Sequence, residues 1–245
     1  MKYQITTNTI PYEKRKEINE KILYILNHNI NTDITKEDIY HAYTGNGSLH
    51  GLNFSDFENF YEFTEAKKQY ENGQFFTPSK LSKFIIECLQ PSSVDLIGDL
   101  TCGAGAFFNF LPNESNIYGC EIDANAYKVA KYLYPNANIE LNDIRYYQPH
   151  VSLDIVIGNP PYNLKWNVNG KEYLSQWYYL LKSYQLLKPS GLLVLIVPKS
   201  FLNDDFRDGN LIKEVNNLFS FVVQFELPKE SFKQYGVEND TTSRK

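Results

Sequence analysis

Short, almost wholly apolar segments alternate with longer amphipathic ones over the last two thirds of the chain. Five of them are predicted as strands, at about residues 94–100, 116–122, 138–141, 153–158 and 191–198. A helix near residues 78–89 is predicted before the first strand. Three more are predicted between the strands, near 103–111, 124–133 and 173–188, the last with Trp177, Leu180, Leu181, Tyr184 and Leu187 at helical spacing. A further helix near 210–217 precedes a sixth apolar segment at 219–226. Strands without polar alternation are buried on both faces, so the pattern predicts an α/β fold with a parallel sheet covered by helices.

The first 72 residues are more polar, and their apolar residues have helical spacing without strand-like apolar runs. In "YEKRKEINEKILYILNHN" the apolar residues Ile18, Ile22, Leu23, Ile25 and Leu26 share one helical stripe. A second helix is predicted in "SDFENFYEFTEAKKQYENG", closed by Gly73. We therefore expect two domains, a small helical N-terminal segment at 1–72 and an α/β domain at 73–245.

Composition narrows the function classes. The three cysteines, Cys88, Cys102 and Cys120, and the four histidines show no spacing typical of metal ligands, so no metal is expected. No apolar run reaches the roughly 18 residues of a membrane span, and no signal-peptide core is present, which predicts a cytoplasmic protein without a membrane partner. A net charge of −5 argues against broad, unaided binding to phosphate backbones but leaves a local basic strip possible.

A glycine-rich loop, "DLTCGAGAFF", follows the first predicted strand. Asp99 closes the strand, and Gly103 and Gly105 allow a ligand to approach the backbone closely. The pyrophosphate fingerprint G-x-G-x-x-G is not met, because its third glycine position is Phe108. Since Asp99 would also repel phosphate, the loop favours a cationic or zwitterionic nucleotide-like ligand. Taken alone, it is equally compatible with an ordinary strand-to-helix turn.

Two further acids end the next two strands. Glu121 comes about 20 residues after the glycine loop, where a carboxylate can accept two ribose hydroxyls, and Asp143 could accept a hydrogen bond from an adenine amine. Each acid alone is as compatible with a solvated loop. Three acids at the carboxyl ends of three successive parallel strands point to a ligand site, because ligands of open sheets bind there.

The segment Asn159-Pro160-Pro161-Tyr162 stops the strand at 153–158. Proline cannot donate to a sheet ladder, so these residues must form a stiff irregular loop. The Asn159 amide oxygen and the Pro160 carbonyl are two fixed acceptors, able to hold both hydrogens of a planar amino group. Such a grip bends the nitrogen toward tetrahedral geometry and frees its lone pair, while Tyr162 can stack on the flat ring. The alternative is that the two prolines merely end a strand.

These elements together resemble the ordered motifs of S-adenosylmethionine-dependent amino-group methyltransferases, namely Asp99-Leu100-Thr101-Cys102-Gly103-Ala104-Gly105, Glu121, Asp143 and Asn159-Pro160-Pro161-Tyr162. "GQFFTP", residues 73–78, resembles the additional cofactor motif of the gamma-class DNA adenine methyltransferases, which include type I modification subunits and fused restriction-modification methylases. The resemblance covers about residues 70–235. It implies a Rossmann-like class I methyltransferase sheet that binds S-adenosylmethionine and methylates the 6-amino group of adenine in DNA.

The resemblance also implies roles for residues. Its cofactor set is Phe76, Thr77, Pro78, Asp99, Thr101, Cys102, Gly103, Gly105, Glu121, Ile122, Asp143 and Asn159. Within it, residues 76–78 would line the methionine end, Glu121 would hold the ribose and Asp143 the adenine of the cofactor. Asn159, Pro160, Pro161 and Tyr162 form the implied catalytic set, which grips the target base. A second stacking aromatic is implied at Phe232, with Tyr235 as competitor and core packing as the alternative role for Phe232.

Complete members of that family continue into a target-recognition domain, which this sequence does not contain, and the expected last strand is replaced by the polar tail "GVENDTTSRK". We therefore expect a truncated chain or a recognition partner, and poor DNA methylation by the chain alone. A duplex adenine would have to be flipped out of the helix to react. The competing interpretations are a protein glutamine methyltransferase, which also uses an NPPY loop, an RNA amino-group methyltransferase, and a non-catalytic cofactor-binding subunit of a restriction complex.

Overall fold

The computed structural model describes residues 12–30, 34–36, 39, 57–71, 76–198, 201, 209–228 and 231–232. Its α-helices in these ranges are α1 (Tyr12–His28), α2 (Phe60–Glu71), α3 (Ser79–Leu89), α4 (Ala124–Leu133), α5 (Ser175–Leu186) and α6 (Gly209–Leu218). Its strands are β1 (Ile97–Asp99), β2 (Ile117–Glu121), β3 (Asn138–Leu141), β4 (Leu153–Gly158), β5 (Lys165–Val168), β6 (Lys171–Leu174) and β7 (Leu187–Leu195).

Five strands form one parallel sheet in the order β3-β2-β1-β4-β7. The apolar runs of β1, β2 and β4 are buried on both faces of the sheet, whereas the edge strand β3 buries only Ile139. Ile155 and Ile157 pack into one core cluster, and Val156 between them packs into the cluster on the other face. The predicted α/β class is confirmed, and the carboxyl ends of all five strands lie at one edge.

The helices cover this sheet as their apolar stripes require. Helix α4 starts at the cap residue Asp123, whose side chain accepts hydrogen bonds from the backbone N–H groups of Asn125 and Ala126. Helix α1 places Ile22 in the same core cluster as Val129 of α4. The predicted helices in the N-terminal segment are therefore present, and α1 packs against the α/β core. The domain boundary at residue 73 stays a prediction, and Gly73 lies outside the described residues.

A short antiparallel hairpin, β5–β6, was not predicted from the sequence. It turns at Asn169 and Gly170, which both have positive φ (52° and 82°). An Asn-Gly pair between extended segments is the usual sequence of such a two-residue turn, so the signal was present in the sequence. The hairpin begins three residues after Tyr162 and thus extends the NPPY loop.

Three expectations about individual elements were wrong. Residues 103–111 form turns and a short 3₁₀ helix, Phe108–Phe110, because Gly103 and Gly105 adopt positive φ (56° and 80°), which interrupts an α-helix. The segment 219–226 is not a strand, since no described strand pairs with it. On the last long helix, α5 ends at Leu186, so Leu187 belongs to β7, and Tyr184 is exposed.

Gly158 occupies a position with no room for a side chain. A Cβ atom there would lie 2.1 Å from the hydroxyl oxygen of Tyr179, which is fully buried on α5. We expect Gly158→Ala to lower the free energy of unfolding by about 3 kcal/mol, because an overpacked core forces buried side chains to shift. Gly170→Ala is the control: no atom lies within 4 Å of its added Cβ, so only the positive φ costs energy, about 1 kcal/mol. Equal urea-unfolding midpoints for the two variants would contradict this account.

Candidate active site

A cleft of about 2600 Å³ includes the carboxyl edge of the sheet and continues along β7 to the segment at 218–227. The structure brings most of the predicted site residues to its wall: Phe76, Thr77, Asp99, Thr101, Cys102, Gly103, Glu121, Ile122, Asp143, Asn159, Pro160, Pro161, Tyr162 and Phe232. Pro78 and Gly105 do not line it, although both lie next to residues that do, and Tyr235 lies outside the described residues. Residues far apart in sequence thus meet at one edge because parallel strands end there together.

Asp99, the last residue of β1, is only 2% exposed. Its Oδ1 accepts a hydrogen bond from the Thr101 N–H at 3.2 Å and lies 3.3 Å from the Tyr179 hydroxyl. Burial, with a smaller contribution from the nearby Glu121, raises the pKa of this carboxyl to about 7, although the two hydrogen bonds lower it. A buried acid with a pKa near neutrality, placed in a cleft, is typical of a functional site.

Glu121, at the end of β2, organises the neighbouring loop. Its two carboxylate oxygens accept hydrogen bonds from the backbone N–H groups of Gly103 and Asp123, each at 2.7 Å. Desolvation raises its pKa, and these two bonds counteract that rise. The next side chain, Ile122, is 68% exposed and lines the cleft. An exposed Ile beside a buried carboxylate offers an apolar surface next to a polar anchor.

The glycine loop leaves space where larger residues would close the cleft. At Gly103, a Cβ would approach the ring of Phe76 to 3.2 Å. Beside it, the Thr101 hydroxyl is buried and has no hydrogen-bond partner among the described residues. Cys102 is a buried free thiol whose pKa is raised by desolvation, so it is a neutral wall of the cleft and not a nucleophile. The loop therefore lets a ligand approach its backbone and places the Thr101 hydroxyl, which has no partner among the described residues, beside that ligand.

Asp143 is already paired in this structure. Its carboxylate receives hydrogen bonds from the Arg145 backbone N–H at 2.8 Å and from the Arg145 Nε at 2.9 Å to Oδ2, with a further guanidinium contact. Hydrogen bonding and charge from Arg145 outweigh desolvation, the largest single effect, and lower the pKa of Asp143. The predicted contact of Asp143 with an adenine amine stays a prediction and would have to be made beside Arg145.

The NPPY loop presents its acceptors in an ordered way. The Asn159 Nδ2 donates to the Thr77 Oγ1 at 3.2 Å, which turns the amide oxygen of Asn159 away from Thr77. That oxygen accepts a hydrogen bond from the Tyr162 hydroxyl, which also lies 2.9 Å from the Ile196 carbonyl oxygen. No described donor contacts the Pro160 carbonyl oxygen. Within the described part of the chain, the Pro160 carbonyl thus has no donor, and the Asn159 oxygen accepts from a hydroxyl that has an alternative partner.

Two residues of α5 brace this loop and were not found from the sequence. The Ser175 hydroxyl donates to the Pro161 carbonyl oxygen at 2.6 Å, and the Gln176 Oε1 accepts from the Asn163 N–H at 2.9 Å. Both side chains are buried. Because buried polar groups need hydrogen-bond partners, these two side chains are fixed by the loop that they contact.

Phe232 lines the cleft but is 7% exposed and belongs to the core cluster that contains Phe76. This position agrees with the packing role that the sequence left open. Its stacking on a target base stays a prediction, since the ring would first have to leave its buried neighbours.

The comparisons with known proteins identify the family of the chain. The family model of the N-6 DNA methylases matches residues 54–239. This chain belongs to the N-6 DNA methylase family. Methyltransferases of this family use S-adenosylmethionine as the methyl donor. The matched range includes the whole parallel sheet and every described residue of the cleft motifs.

The individual relatives have low sequence identity to this chain. The chain is 30% identical over 173 residues to the type II methyltransferase M.AccI of Acinetobacter calcoaceticus, covering 61% of this chain and 31% of that protein. It is 23% identical over 203 residues to the defense against restriction protein B of Escherichia phage P1, covering 77% of this chain and 8% of that protein. The chain thus spans under a third of the length of these relatives.

Among solved structures, a modification subunit of a putative type I restriction enzyme from Vibrio vulnificus matches with a TM-score of 0.51. The sequence identity is 16%, and the match covers 77% of this chain and 44% of that one. At this identity the match supports the fold, which is that of a class I methyltransferase. Among the described residues, no helix is long and apolar enough to cross a membrane, and no cluster of three potential metal ligands occurs.

The raised pKa of Asp99 predicts a pH-dependent stability. The folded state keeps this proton up to about pH 7, whereas the unfolded chain releases it near the ordinary value of an aspartate, so the free energy of unfolding falls as the pH rises between them. The slope from this one group is at most about 1.4 kcal/mol per pH unit. We expect Asp99→Asn to flatten the slope in urea unfolding between pH 5 and 8 and to be more stable than wild type at pH 8.

Asp154→Asn is the control for this slope. The backbone N–H of Leu96 and the amine of Lys188 lower the pKa of Asp154, so its stabilisation is complete above the unfolded pKa and is lost only as the pH falls through the folded one. This variant should therefore lower the curve evenly between pH 5 and 8. Parallel curves for wild type and Asp99→Asn would contradict the assignment.

Proposed function

We propose that this chain is the catalytic domain of a site-specific DNA adenine methyltransferase, which transfers a methyl group from S-adenosylmethionine to the 6-amino group of a flipped adenine. The observation that supports it best is the pair of acceptors at the NPPY loop, because Asn159 and Pro160 line the same cleft as the cofactor motifs and the Asn159 amide is oriented by Thr77. A planar amino group has two hydrogens, and two fixed acceptors match them.

The residues of the cleft fit the cofactor chemically. The Glu121 carboxylate can accept the ribose hydroxyls, and the exposed Ile122 offers an apolar surface for the adenine ring. Asp99 and the unpartnered Thr101 hydroxyl suit the charged methionine end, while Phe76, Thr77, Cys102 and Gly103 shape its walls. When bound, S-adenosylmethionine supplies a methyl group on a positively charged sulfur, which the surrounding carboxylates favour electrostatically.

The NPPY loop positions the target without acting as a base. Thr77 and the prolines fix the two acceptors before the base arrives, so little reorganisation is needed at the moment of reaction. To release the Asn159 Oδ1, the Tyr162 hydroxyl can donate to the Ile196 carbonyl alone, which leaves no donor unsatisfied. With its hydroxyl held by the Ile196 carbonyl, the ring of Tyr162 can stack on the adenine, a contact worth roughly 1–3 kcal/mol in nucleic-acid complexes.

The substrate and partners follow from the cleft and from the relatives. An adenine in a duplex cannot reach the sheet edge, so the nucleotide must be rotated out at a cost of a few kcal/mol. Because the relatives are at least three times longer than the part matched here, we propose that a further recognition domain or subunit selects the DNA site. We also propose that the protein acts in the cytoplasm, as part of a restriction-modification or mobile-element system, since one relative is named a defense against restriction protein of a phage.

A substrate panel separates this function from its alternatives. Stoichiometric protein, tritium-labelled S-adenosylmethionine, and single-stranded DNA, duplex DNA, ribosomal RNA or release-factor protein are combined. We expect slow incorporation into DNA alone, and no incorporation with Asn159→Ala, because the target amine loses one of its two acceptors. Asn136→Ala, an exposed asparagine remote from the cleft, should behave as wild type.

Each other outcome of the panel contradicts the proposal. Incorporation into release-factor protein would favour a glutamine methyltransferase, and incorporation into ribosomal RNA an RNA enzyme. Tight cofactor binding without any transfer would favour a non-catalytic subunit. Rapid, site-specific methylation of duplex DNA by this chain alone would contradict the need for a recognition partner.

The contact between Thr77 and Asn159 predicts a second effect. Thr77→Val keeps the shape of the side chain but removes the acceptor for the Asn159 Nδ2, so the amide is free to turn its NH₂ group toward the target amine. We expect kcat to fall at least tenfold, the loss of about one hydrogen bond's net free energy. Thr77→Ser keeps the acceptor and should retain most of the rate. Equal rates for the Val and Ser variants in single-turnover assays would show that this contact does not orient the amide.

A further inference from the structure

We propose that Tyr179 is a positioning residue that couples the cofactor loop after β1 to the target-base loop after β4. Its hydroxyl lies between the two loops. Whether a proton or a cationic ligand group neutralises the Asp99 carboxylate decides whether the hydroxyl donates to Asp99 or to the Ile157 carbonyl. The inference rests on the proposed cofactor role of Asp99, and it adds a residue that none of the recognisable motifs contains.

The geometry places one hydroxyl between two strand ends. The ladder between β1 and β4 pairs Ile97 with Ile155 and Gly98 with Val156 and then stops. Beyond that point the Tyr179 hydroxyl accepts a hydrogen bond from the Leu100 N–H at 3.0 Å and lies 3.0 Å from the Ile157 carbonyl oxygen. The phenol therefore takes the place of the next ladder bond and holds the two carboxyl ends apart.

The same hydroxyl lies 3.3 Å from the Asp99 Oδ1. A phenol has a single proton, so it can donate fully either to Asp99 or to the Ile157 carbonyl. Desolvation strongly favours the protonated phenol, which excludes a tyrosinate as the bridging species. Donation to Ile157 strengthens the anchor of the loop that begins with Gly158 and Asn159. Donation to Asp99 stabilises its charged form.

The state of Asp99 sets this choice. Its carboxyl faces Glu121 on β2, the thiols of Cys102 and Cys120, and Tyr179 on α5. As an anion, Asp99 accepts from the Thr101 N–H and also competes with the Ile157 carbonyl for the phenol proton. When a cationic ligand group or a proton neutralises it, the phenol is released to the Ile157 carbonyl. Cofactor binding at Asp99 thus strengthens the hydrogen bond to the Ile157 carbonyl, which anchors the backbone just before Asn159.

Nuclear magnetic resonance can follow both ends of this bridge in the wild-type protein. We would titrate the ¹³C carboxyl signal of Asp99 and the ¹⁵N amide signal of Gly158, which shares a peptide group with the Ile157 carbonyl. We expect both signals to change with one midpoint near pH 7. Saturating S-adenosylhomocysteine should hold the Gly158 signal at its low-pH value. A Gly158 signal that does not titrate, or that titrates with a different midpoint, would overturn the coupling.

The variant Tyr179→Phe distinguishes transmission through the Tyr179 hydroxyl from a direct effect of the Asp99 charge on the Gly158 amide signal. This variant should abolish the Gly158 titration and shift the Asp99 midpoint to higher pH, since a hydrogen bond that stabilises the anion is lost. S-adenosylhomocysteine affinity measured by calorimetry should then fall more at pH 7 than at pH 8.5. An unchanged Asp99 midpoint, or an affinity loss equal at both pH values, would leave Tyr179 with packing alone and refute the proposal.

Tyr132→Phe on α4 is the matched control, because it removes an exposed hydroxyl outside the cleft and should change none of these signals. If wild type binds no S-adenosylhomocysteine, the proposed cofactor site fails. If wild type binds it with the expected pH dependence but Tyr179→Phe does not differ, only the coupling fails. The wild-type titration decides the question even if the Phe variant does not fold.

Discussion

The site depends on the separation of two neighbouring parallel strands at their carboxyl ends. Strands β1 and β4 are hydrogen-bonded through Gly98 and Val156, and then the buried Tyr179 hydroxyl enters between them. Parallel strands that continued to pair would close the edge at which ligands of open sheets bind. The separation creates room for the glycine loop on one side and for the NPPY loop on the other.

The polar groups at this edge divide into two sets with opposite requirements. Asp99 and Glu121 are buried acids with raised pKa values, and they disfavour anions but favour a ligand with positive charge and hydroxyl donors. Asn159 and Pro160 are neutral acceptors, which suit an amino group that must stay uncharged to react. One cleft can therefore attract a cationic donor and still hold a neutral nucleophile, and Thr77 links the two sets through its contact with Asn159.

The sequence predicted the five strands of the parallel sheet and most residues that line the cleft. Buried strands are recognisable as apolar runs, and the acids that end them are recognisable by their positions. It did not predict Tyr179, Arg145 or Ser175, since their roles depend on which strands become neighbours. The expected helix at 103–111 failed because two glycines at positive φ override the apolar spacing. The segment 219–226 has the composition of a strand, yet Phe221 and Val222 are exposed and unpaired among the described residues, and a strand requires a neighbour.

The most direct test is a crystal structure of the chain with S-adenosylhomocysteine. The account predicts that the ribose hydroxyls contact Glu121, that the amino acid end lies beside Asp99 and Thr101, and that the sulfur faces the acceptors of Asn159 and Pro160 across open space. A nucleoside bound elsewhere, or a sulfur separated from the NPPY loop by packed side chains, would contradict the account.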